Sequence, residues 1–135
     1  MLGDHCRILI LGGTGEARKL ATLIVKSLPK TAEVITSYAG KTQRKKDPPG
    51  IIREGGFGGV TGLSNFIYAE SIDLIIDATH PFAVNISAHA AEAASQTGRP
   101  HLILQRPNWI LPTSIQVTEV TSMSEAADQL VGQAE

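Results

Sequence analysis

The feature that most limits what this chain can become is an alternation of short, unbroken apolar runs with stretches of helical spacing. Arg7-Ile8-Leu9-Ile10-Leu11 is the first such run, and it stops at Gly12-Gly13. A run this short, with no polar residue every second position, fits a strand buried on both faces. Residues 16–28 follow, with Ala17, Leu20, Ala21, Ile24 and Leu28 at helical spacing and Pro29 closing the segment. The pattern then repeats. Further strands are expected at 33–37, 51–53, 72–77, 101–105 and 115–120, and helices at 63–70, 82–96 and 122–133. Ser122 with Glu125 three residues later has the spacing of a capping box.

Doubly covered strands joined by helices argue for a parallel sheet with helices on both faces. Right-handed crossovers leave few topologies, of which the Rossmann-like doubly wound sheet, here of about five strands, is the commonest. A chain of 135 residues is one domain in length, so a single domain is expected over 1–135. The formal charge of −1 provides no field to recruit nucleic acid or an anionic membrane. The apolar run near the N-terminus is far too short for a membrane span or a secretory leader. Cys6 stands alone, which excludes an intrachain disulfide, and the four histidines lack the spacing of a metal site, so no metal is expected. The expectation is a soluble cytoplasmic domain. Ending on a helix, it is either complete for one lobe or cut from a longer chain.

Four places could carry chemistry. Gly12-Gly13-Thr14-Gly15-Glu16 lies between the first strand and the first helix. Glycines there permit a tight turn and let a phosphate approach the main-chain amides, where the helix adds about half a positive charge. Arg18 occupies the third glycine position of the dinucleotide fingerprint, so a glycine turn with no ligand stays open as a reading. The second strand ends Thr36-Ser37-Tyr38 and runs into Lys41-Thr42-Gln43-Arg44, with no carboxylate before Asp47. Hydroxyls and cations at that end suit a ribose 2′-phosphate, hence NADP(H) over NAD(H), although a basic loop can also be merely solvated. Gly55-Gly56-Phe57-Gly58-Gly59 either faces a ligand or forms a flexible surface loop, with Phe57 as an apolar anchor. Asp77-Ala78-Thr79-His80-Pro81-Phe82-Ala83 falls at the carboxyl end of a central strand, the edge where open α/β sheets bind ligands. Pro81 fits a first helical position, which makes His80 or Thr79 the cap, and Asp77 is placed to orient His80 or hold backbone amides. His80 reads equally as a capping residue and as a catalytic one.

Taken together, these blocks and Arg106-Pro107-Asn108-Trp109 resemble the precorrin-6A reductases of cobalamin biosynthesis and their cobalt-precorrin-6A counterparts. The blocks occur in that family's order across nearly the whole chain, and Asp-Ala-Thr-His-Pro-Phe is the most specific of them. The resemblance implies an NADPH-dependent reductase that transfers a hydride to the corrinoid ring, giving precorrin-6B. It would put NADPH over Gly12, Gly13, Thr14, Gly15 and Glu16, with Ser37, Tyr38, Lys41 and Thr42 toward the adenosine phosphate. Gly58 of the glycine cluster, with Thr79, His80 and Pro81, would sit toward the nicotinamide and the macrocycle. His80 is the candidate catalytic residue. The family is expected to run nearly twice this length, into a second α/β lobe that is missing here or supplied separately. Asn85 and His89 also depart from the Gln and Asn expected there. Two other functions remain open: a nucleotide-binding module without turnover of its own, and a noncatalytic interaction domain.

Overall fold

The computed structural model describes residues 5–28, 30–40, 47–80 and 83–104. The chain divides into two units, Met1–Gln105 and Arg106–Glu135, and the described residues belong to the first. The strand expected at 115–120, the helix at 122–133 and the turn at 106–109 lie outside the described residues, as do Lys41, Thr42, Pro81 and Phe82.

Five strands and three helices alternate: β1 Cys6–Leu11, α1 Gly15–Ser27, β2 Ala32–Tyr38, β3 Ile51–Glu54, α2 Gly59–Ala69, β4 Leu74–Asp77, α3 Val84–Thr97 and β5 His101–Ile103. Every pairing is parallel, and the spatial order is β3-β2-β1-β4-β5. The chain therefore winds outward from β1 in one direction, then returns to the other side of β1 with β4. This reversal is the switch point of a Rossmann-like doubly wound sheet.

The unbroken apolar run of β1 is explained by its two covered faces. Ile8 and Ile10 join Val34 and Ile76 beneath Ala17 and Ala21 of α1. Leu9 and Leu11, on the opposite face, join Ile35 and Ile75 beneath Leu63 and Ile67 of α2 and Ala90, Ala93 and Ala94 of α3. The alanines let α3 approach closely. Each buried leucine or isoleucine contributes roughly 1.5–3 kcal/mol through burial. At the amino edge of the sheet, Arg7 pairs with Glu33 at 2.7 Å and Glu70 at 2.9 Å, and its amide donates to Asp73.

Three element starts differ from the sequence pattern, each for a local reason. β4 begins at Leu74, not at residue 72: the Ile72 amide closes the end of α2 by donating to Ile67 O at 2.9 Å, so it is unavailable to the ladder. α2 begins at Gly59, four residues before the expected start, because Gly58 adopts a left-handed φ of 85° and turns the chain into the helix. α3 begins at Val84, and its N-cap is Ala83, without a side-chain cap bond. Neither His80 nor Thr79 is the cap. Among the described residues no helix is long and apolar enough to cross a membrane.

Candidate functional site

Parallel strands carry their carboxyl ends to one edge, and there β1, β2 and β4 deliver the loops singled out above. The bend after β1 is held from both sides: Gly12 N donates to Ser37 O at 2.9 Å, and Ala78 N donates to Leu11 O at 3.0 Å. A Cβ on Gly12 would lie 2.9 Å from Thr36 Cγ2, so glycine permits this close approach of β1 to β2. Gly13 has a φ of 112°, a left-handed conformation that side chains rarely adopt. A Cβ on Gly13 or Gly15 would meet nothing within 4 Å. The bend is open.

Thr14 is the N-cap of α1. Its hydroxyl accepts from Ala17 N at 3.1 Å and donates to Ala78 O at 2.7 Å, which joins the bend to the loop after β4. The Arg18 amide reaches Thr14 O. Among the described residues, the amides of Gly13, Thr14 and Gly15 make no hydrogen bond. Unclaimed N–H groups at a helix start, with no side chain over them, fit the diphosphate of a dinucleotide. Thr14 and Glu16 would take part through this backbone; the Glu16 carboxylate, in the first turn of α1, favours the helix dipole and would repel phosphate.

The loop after β4 is built on Asp77, which is 3% exposed. Its Oδ1 accepts from Thr79 N at 3.0 Å and from Thr79 Oγ1 at 2.6 Å. With its proton given to Asp77, the Thr79 hydroxyl is left to accept from Ser87 Oγ at 3.3 Å. Asp77 thus holds a backbone amide, one of the two roles expected for it. His80 is exposed beyond this turn, and its carbonyl accepts from Ala83 N at 2.8 Å.

The glycine cluster after β3 is anchored, not loose. Gly55 N donates to Tyr38 O at 2.9 Å, and Phe57 packs edge-on against Phe66 with centroids 5.2 Å apart. Gly62 allows the Phe57 carbonyl to press against α2, where any Cβ would collide with it. The clamp is Arg53, opposite Ser37 in the β2–β3 register. Its Nη1 donates to Gly55 O at 2.6 Å and to Ser37 Oγ at 3.2 Å, and its Nη2 donates to Gly56 O at 3.0 Å. The guanidinium lies 3.9 Å from the Phe57 ring centroid. Burial lowers its pKa from the ordinary arginine value. A cleft of about 760 Å³ also runs along α1, lined by Arg18, Thr22, Leu23, Lys26, Asp47 and Pro49 among others, and it includes none of these glycines.

The structure therefore brings Gly12, Gly13, Thr14, Gly15, Glu16, Ser37, Tyr38, Thr79 and His80 to one sheet edge, with Gly58 in the loop leaving β3. From sequence, Arg53 reads with Arg99 and Arg106 either as a partner for a carboxylate of the macrocycle or as a solvated surface arginine, with nothing to place it beside Ser37. The strand pairing that sets it opposite Ser37 is long-range.

Strand order, switch point and open glycine bend define a Rossmann-like α/β domain. Residues 7–134 match the family model described as "Precorrin-6x reductase CbiJ/CobK". The chain belongs to that family. A precorrin-6A reductase from Mycobacterium tuberculosis is 44% identical over 124 residues, covering 91% of this chain and 49% of the relative. A cobalt-precorrin-6A reductase from Priestia megaterium is 32% identical, covering 90% of this chain and 46% of the relative. The chain spans about half the length of these relatives. The solved structure of "CobK precorrin-6A reductase" superposes with a TM-score of 0.80 at 38% identity, covering 91% of this chain and 48% of that one. A more distant structure, a Rex-family repressor in complex with β-NADH, shares the fold at a TM-score of 0.53 and 11% identity, over 96% of this chain and 59% of its own.

Proposed function

We propose that residues 1–135 form the nucleotide-binding domain of a cytoplasmic reductase that adds a hydride from NADPH to the precorrin-6A macrocycle, or to its cobalt form, yielding precorrin-6B. The observation that carries this reading is the open bend at Gly13-Thr14-Gly15, with three amides at the start of α1 that bond to none of the described residues. Membership of the reductase family supports the chemistry.

Bound there, NADPH supplies the hydride; the protein supplies position and electrostatics. The amides at the start of α1 hold the diphosphate. Ser37 and Tyr38 would face the adenosine phosphate, where the family resemblance also assigns Lys41 and Thr42, and the absence of a carboxylate in Thr36-Ser37-Tyr38 favours NADPH over NADH. Thr79 and His80, with Gly58, would face the nicotinamide and the ring, where the family resemblance also assigns Pro81. Asp77 fixes the turn that presents them. Reduction also adds one proton to the ring, and His80, exposed at this edge, is the side chain assigned to deliver it.

The test is oxidation of NADPH in the presence of precorrin-6A, followed by absorbance at 340 nm. Consumption of NADPH only when the macrocycle is present supports the reductase. A second reading is a binding module whose turnover needs a C-terminal lobe. Nucleotide binding without turnover, with turnover restored by adding that lobe, selects it.

A further inference from the structure

The side chain of Arg53 has a second use that its role as a clamp leaves open. A guanidinium has five N–H donors. The end formed by Nη1 and Nη2 faces Gly55 O and Gly56 O, and the remaining Nη1–H goes to Ser37 Oγ. What is left is the edge formed by Nε–H and the second Nη2–H, the planar fork that matches a phosphate with two parallel bonds. Neither of these donors is hydrogen-bonded among the described residues. Among the described residues the ion pairs are those of Arg7, and none reaches Arg53. Glu54 is next in the strand, where alternation sends it to the other face.

The position of that fork suggests its ligand. Ser37, the partner of Arg53 in register, is the next-to-last residue of β2, beside the glycine bend, and its carbonyl holds Gly12 N. In a doubly wound sheet the end of this second strand reads the 2′ position of the adenosine ribose. We infer that Arg53, held in place by Ser37 and the carbonyls of Gly55 and Gly56, is the residue that recognises the ribose 2′-phosphate and so sets the preference for NADPH over NADH. This rests on the proposal that a dinucleotide occupies the glycine bend. A carboxylate of the macrocycle would suit the same fork, and the position at the end of β2 argues for the phosphate. Burial has already removed part of the hydration of this guanidinium. Its planes also stay oriented by the two phenyl rings, at 3.9 Å and 5.0 Å from the guanidinium carbon.

Calorimetric titration of the 135-residue chain with NADPH and with NADH tests this without any macrocycle. The unmodified protein should prefer NADPH. Arg53→Gln should weaken NADPH by about ten- to hundredfold and leave NADH nearly unchanged, so that the preference collapses. Arg53→Lys keeps the charge and loses the fork, and should lose part of the preference; it serves if the glutamine variant does not fold. Titration with 2′,5′-ADP and 5′-ADP should repeat the pattern, which assigns the effect to the 2′-phosphate. Equal weakening of both nucleotides in the variants, or an unchanged preference, overturns the role of Arg53. Failure of the unmodified chain to bind either nucleotide, or equal binding of both, overturns the underlying NADPH reading instead.

Discussion

Single residues decide whether the sheet edge is a site or only a junction. His80 is the clearest case for mutation, because it is exposed at the carboxyl edge, where the proposed reaction would bring the ring. His80→Ala should lower kcat for precorrin-6A reduction by about a hundredfold, within the range of general acid catalysis, while NADPH affinity changes little. An unchanged kcat would remove it as the proton donor. Cys6 shows the opposite behaviour, a reactive atom made inert by position. It is 3% exposed, and burial, followed by the negative charge of Asp73, pushes its thiol pKa up. A raised folded-state pKa means that the protonated thiol stabilises the fold. That contribution is complete below the unfolded thiol value, about 8.5, and is lost as pH rises through the folded one. Native protein should therefore label far more slowly with a thiol reagent than urea-unfolded protein. Its unfolding midpoint should decline above about pH 8.5, a decline that Cys6→Ala lessens.

At the scale of elements, the joints matter more than the strands. Thr14 caps α1 and bonds the loop after β4, so it couples two loops of the site through one hydroxyl. Thr14→Val keeps the shape and loses both bonds; urea denaturation should show a loss of about 1–3 kcal/mol. A loss below a few tenths would mean that the joint is slack. The strands themselves could be read directly from the sequence. The Ile8 to Leu11 run and the Val34-Ile35 pair are apolar on both faces because both faces are covered, and that pattern is local. Starts of elements were less readable. Ile72 looks like strand, yet its amide belongs to the end of α2, and Gly59 looks like loop, yet the left-handed turn at Gly58 starts the helix there. The glycine bend, Ser37 and the Asp77 turn were visible as motifs because chain order alone brings them to the carboxyl edge. Arg53 was not visible there, since its partners Ser37, Gly55 and Gly56 come together only when β3 pairs with β2 in this register.

For the molecule as a whole, β1 is the common wall of both cores, and its Leu9 is fully buried. Leu9→Ala should destabilise the protein by about 2–5 kcal/mol in thermal or urea unfolding, and a smaller cost would mean that the sheet can collapse around the gap. The same strand ends at Gly12, so the packing that stabilises the sheet also fixes the bend that would grip a nucleotide. Family, fold and open bend converge on one claim: the main-chain amides at the start of α1 hold the diphosphate of NADPH. Calorimetry with NADPH on the unmodified chain and on Gly13→Val measures this most directly, because a valine there adds a side chain to a position that is now open. The account predicts saturable binding at a single site, weakened by at least about tenfold in the variant. Equal affinity in the two proteins would contradict it.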